Sequence, residues 1–147
     1  MTVEKGTFMT EERFATKRTP SYPKTATKAA AVNATQESWA VLTDLNVALA
    51  AAGKDPIPVR AMRLDGVFLI NNKDGAAHDF YWQDGGGADG GDAQMKYTTA
   101  AGIAVYPVDA TVITDATGNI EIKVDVVLQC DVKFVCRAYQ EVQTAAE

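Results

Sequence analysis

Nucleophilic catalysis needs a base poised beside its nucleophile. In 147 residues this chain offers one histidine, His78, two cysteines, Cys130 and Cys136, and two serines, Ser21 and Ser38. A serine–histidine pair would have to recruit a serine from the first 38 residues, far in sequence from the strand-like His78-Asp-Phe-Tyr-Trp82. A cysteine nucleophile needs an exposed, acidified thiol. Both cysteines lie at the same parity in an apolar, β-like stretch and are expected to be small buried hydrophobes. A disulfide between them requires the chain to fold back, because a straight strand separates them by roughly 20 Å. No enzyme and no cofactor is expected.

Two binding chemistries remain. Asp84, Asp89 and Asp92 stand on a glycine-rich loop, Asp84-Gly-Gly-Gly-Ala-Asp-Gly-Gly-Asp92, whose hard oxygens make a weak calcium candidate. The same loop lacks the lysine and the following helix start of a phosphate cradle, and its acids repel phosphate. Beside it, Tyr81 and Trp82 are candidates for a sugar-stacking platform. A soft-metal site is not expected, since His78 is the only other soft ligand.

These residues must be positioned by a body of ordinary globular composition, 47% apolar and 22% charged. No apolar run reaches the ~20 residues that span a bilayer. The first residues lack the apolar core of a secretory leader, so synthesis in a cytoplasm and no membrane partner are expected. Charge is divided unevenly. Residues 1–35 carry six basic side chains against three acids, a net of +3, which leaves −8 for the rest of a chain of net −5. So acidic a body argues against nucleic acid as a partner, and a negative protein surface is the better expectation for the basic segment.

Residues 1–36 show neither strand nor helix periodicity, and Pro20 and Pro23 favour extended backbone. They read as an extended basic arm that orders on a neighbour, with Phe14, Lys17, Arg18, Tyr22, Lys24 and Lys28 as its contact residues. Residues 37–147 read as one domain. Trp39, Val41, Thr43, Leu45, Val47 and Leu49 alternate at period two, and Trp39, Leu42, Leu45 and Leu49 fit a helix equally well. Strand is the expectation there, because everything downstream is β. Further strands are expected over 57–71, 78–83, 95–98, 103–113, 120–126 and 132–139. Thr114–Asn119 is the clearest hairpin signal. An all-β fold follows, an antiparallel β-sandwich or jelly roll with an extended N-terminal arm.

The order of these features resembles a known family. It runs through Trp39, Leu42, Leu45, Val47 and Leu49, then Gly53, Val59-Arg60, Leu64, and Gly66-Val-Phe68. It closes with Asp115, Gly118-Asn-Ile-Glu-Ile-Lys-Val124 and Val132, Phe134, Arg137 and Tyr139. Over residues 38–142 this is similar to the small jelly-roll modules of tailed-bacteriophage virions, which include head decoration (cement) proteins and tail or baseplate appendages. The resemblance implies a virion structural protein that binds the major capsid protein or another virion protein, as a homo-oligomer and most often a trimer. A carbohydrate-binding tail-fibre or baseplate module, using Tyr81 and Trp82, is the alternative.

Overall fold

The computed structural model describes residues 23–91, 93–108 and 111–140. Among them the elements run β1 (Lys24–Thr27), β2 (Glu37–Trp39), α1 (Val41–Ala51), β3 (Met62–Asn72) and β4 (His78–Gln83). They continue with β5 (Met95–Thr99), β6 (Gly102–Pro107), β7 (Val112–Ile113), β8 (Ile120–Val124) and β9 (Cys130–Gln140). Two antiparallel sheets result, one ordered β1-β9-β3-β6 with β7 also on β3, the other β2-β8-β4-β5. The strand pairs are nested: β1 with β9, β2 with β8, β3 with β6, and β4 with β5. The β3–β9 pair, in register over eleven residues from Met62↔Gln140 to Asn72↔Cys130, forms the spine of the first sheet.

Period-two alternation turns one face of each sheet inward. Phe68 and Phe134 from the first sheet meet Phe80 and Trp82 from the second. Phe68 stacks on Phe134 at 4.4 Å between centroids and lies 5.4 Å from Phe80 and 5.9 Å from Trp82. Leu64, Ile70, Ile120, Ile122, Val124 and Val132 fill the layer around these rings. Cys130 and Cys136 both face into it from β9 as free thiols, in keeping with their expected role as buried hydrophobes.

Residues 41–51 are helical, not the strand expected there. Val47 shows why: a strand would place it on one face with Val41, Leu45 and Leu49, whereas it is 67% exposed while those three are buried. The buried set Val41, Leu42, Leu45 and Leu49 has helical spacing, and it packs against β1. No side chain caps the N-terminus; the Leu42 N–H donates to the Gly118 carbonyl at 3.2 Å. At the other end Lys54 N–H reaches Leu49 O and Gly53 N–H reaches Ala50 O, with Gly53 at φ 73°. That is a Schellman stop, and it needs the left-handed glycine.

Three other expectations change. The Asp115–Asn119 turn forms, with Asp115 N–H donating to Asn119 O and Asp115 Oδ1 accepting from Thr117 and Asn119 N–H. Yet it joins β7 in one sheet to β8 in the other, so it is a crossing between layers and not a hairpin. A turn signal is local and does not say which strands pair beyond it. The expected strand over 103–113 divides at Pro107 into β6 and β7. Finally, the supposed arm enters the fold before residue 36: Lys24–Thr27 pair with β9, and Ala26 and Val32 are fully buried.

Candidate functional site

The densest polar constellation lies on the outer face of the second sheet, where the glycine-rich loop folds back over β4 and β8. Gln83 and Glu121 are strand-register partners there, outward-pointing by parity yet buried by the loop. Gln36 is the hub: its Nε2 donates to Gly87 O at 2.8 Å, and its Oε1 accepts from Gln83 Nε2 at 2.7 Å. Gln83 Nε2 also donates to Ala88 O at 2.8 Å. Gly87 lies so close that an added Cβ would meet Gln83 Oε1 at 2.4 Å, so a larger residue there would push the Gln83 amide out of its place. Glu121 accepts from Ser38 Oγ–H at 2.8 Å, from Gln36 Nε2 and from Gly86 N–H. The loop is thus bound down by amide side chains, a network that sequence reading missed. Its signal in the sequence was Gln83, a polar strand end directly before the glycine run.

Two of the acids proposed for calcium, Asp84 and Asp89, are engaged with different partners. Asp84 Oδ1 accepts the Ile113 N–H at 2.8 Å and splices the end of β4 to β7. Asp89 pairs with Lys123 at 2.5 Å, a contact that holds its carboxyl below the usual range. Asp92 lies outside the described residues. Among the described residues no group of three His, Cys, Asp or Glu side chains can hold a metal ion. The aromatic pair is separated too, because adjacent residues on a strand face opposite ways. Trp82 is buried in the core with its Nε1–H unpaired, while Tyr81 faces outward under the Lys123 ammonium, 4.9 Å from the ring centroid.

His78 sits at the opposite end of the sandwich, bracketed by two carboxylates. Its Nε2 is 2.7 Å from Asp74 Oδ2 in the β3–β4 turn, and its Nδ1 is 2.9 Å from Asp125 Oδ1 after β8. A neutral imidazole donates from one nitrogen only; the imidazolium satisfies both. The Asp74 hydrogen bond first, then the charge of Asp125, raises the His78 pKa, and the same His78 bond lowers that of Asp74. Asp125 Oδ2 also accepts the Asp79 N–H at 2.9 Å. The cluster ties two turns together. Ser38 and His78 therefore belong to separate networks, and burial pushes the Cys130 thiol up and Cys136 to about 12.

Of the arm residues, Phe14, Lys17, Arg18 and Tyr22 lie outside the described residues. Lys24 opens β1. Lys28 is spent inside the fold, 3.1 Å from Glu37 Oε1 and bonded to Ala30 O. With both lysines counted to the sandwich, residues 1–22 keep four bases against three acids, a net of +1 against −6 for the rest. The charge contrast is weaker than the 1–36 boundary implied. Compared with known proteins, the chain matches no family model, no curated protein and no solved structure.

Proposed function

We propose that this chain is a structural protein of a tailed-bacteriophage virion, a capsid cement or decoration subunit that binds the major capsid protein partly through residues 1–22. In this reading its sandwich is a jelly roll. The observation that carries it is the nesting of strand pairs, β1–β9, β2–β8, β3–β6 and β4–β5, split over two four-strand paths. Leaving aside the two-residue β7, these are eight strands in two sheets, the arrangement that jelly rolls of capsid and lectin domains share. The chemistry-bearing side chains support a binding part, because Ser38, His78, Glu121 and both cysteines are engaged in holding turns, loop and core. A rigid body seated in many copies needs only modest contacts per copy to stay attached.

Purified virions should contain the chain in a fixed ratio to the major capsid protein, read by quantitative mass spectrometry. Its absence from virions overturns the proposal. Deletion of residues 1–22 should leave a folded sandwich with weakened capsid binding. The cut must stop before Lys24, since β1 belongs to the body.

A further inference from the structure

Each sheet has two edges, and proteins commonly guard edges with charge or cover. Of the four edge strands that end the two paths, β1 carries Lys24 and lies under α1, β2 carries Glu37, and β5 carries Lys96. Strand β6, Gly102-Ile-Ala-Val-Tyr-Pro107, has no charged residue. It also exposes Ile103 at 69% and Val105 at 55%.

Among the described residues, the backbone groups of β6 that face away from β3 belong to those same two residues. Val108 N–H donates to Gly66 O at 3.3 Å, which extends the β3–β6 register by one pair. Alternation along an antiparallel ladder then turns the N–H and C=O of Gly102, Ala104 and Tyr106 toward β3, and those of Ile103 and Val105 outward. Pro107 has no N–H, and its carbonyl already accepts the Tyr97 hydroxyl at 2.9 Å. The stretch open to pairing is therefore short and bounded.

We infer that β6 pairs antiparallel with β6 of a second copy, about a two-fold axis through Ala104. Ile103 of one copy then stands opposite Val105 of the other, twice. Both residues exchange their outward N–H and C=O, and all four apolar side chains lose water together. A second copy is the occupant because the open stretch offers the outward groups of only two residues and is closed at one end by Pro107, and two such stretches satisfy each other with no outward group left over. Its lack of charge also removes like-charge repulsion at the seam between two chains of net −5. Pairing of one edge with itself is isologous and closes at two, unlike the trimer implied by the resemblance. It goes beyond the proposed attachment to a capsid and does not depend on it.

The test is the mass of the full chain in solution, by sedimentation equilibrium and light scattering. A dimer is expected. Val105→Lys and Ile103→Lys, both at exposed positions, should each halve the mass while retaining the parent circular dichroism spectrum. Val47→Lys, on the exposed face of α1, should leave the dimer intact. Amide exchange at Ile103 and Val105 should be slow in the dimer and fast in Val105→Lys. A monomer, a trimer, or a dimer that survives both β6 lysines overturns the inference.

Discussion

At the scale of single residues, His78 makes the most testable contact. Its raised pKa means that the native state holds its proton more tightly than the unfolded chain does. The resulting stabilisation is fully present below the unfolded value of 6.5 and is lost as pH rises through the higher folded value. Asp74 works the other way: its contribution is present above 3.8 and is lost as pH falls through its lowered folded value. The clamp is therefore strongest between those two unfolded values. Denaturant melts should show stability declining as pH rises above the unfolded value of 6.5 and through the raised folded one, and His78→Gln should flatten that slope. A slope equal to that of the parent would remove the clamp from the account. The buried thiols add a decline of the same sign, because their folded values are raised above 9.0 and the unfolded chain ionises first, so the His78 slope is the part that lies well below that value. That His78 sits in a strand was legible from His78-Asp-Phe-Tyr-Trp82. Its partner Asp125 was not, because 47 residues separate them and only the pairing of β4 with β8 brings them together.

At the scale of elements, strands β4, β5 and β8 were readable because alternation and flanking turns agreed. The helix was not, because Val41-Leu-Thr-Asp-Leu-Asn-Val-Ala-Leu fits both periods and the β-rich surroundings tipped the choice the wrong way. Its alanines and the Gly53 stop favoured the helix locally. The two features differ in weight, and substitution separates them. Gly53→Ala has open space for its Cβ, so only the left-handed backbone at φ 73° is penalised, by about 1 kcal/mol. Leu45→Ala empties a fully buried site between α1 and the body and should cost about 2–5 kcal/mol. Urea unfolding of both variants tests the ranking. Equal losses would mean that the helix end, not its buried face, anchors the element.

At the scale of the whole molecule, the sandwich class follows from strand number and spacing, but the nesting of its strands does not. Nothing local in Lys24-Thr-Ala-Thr27 says that it pairs with β9, more than 100 residues away. Lys24 and the adjoining Lys28, near Pro23 and a run of alanines, made it look like part of a free arm. The long-range pairing gives the last prediction. Removing residues 1–22 leaves β1 to β9 in place, whereas removing residues 1–30 takes away β1, the Lys28–Glu37 ion pair and the surface on which α1 rests. The four-residue ladder alone, at about 1 kcal/mol per hydrogen bond, puts the difference between the two truncations at roughly 3 kcal/mol or more, with the larger one losing also the buried contacts of Ala26. Chemical denaturation should therefore place the shorter truncation near the parent and the longer one well below it, with a smaller denaturant dependence as the uncovered sheet loosens. Equal stability of the two would mean that β1 is dispensable, and the nested closure of first strand on last would no longer explain how the chain holds its shape.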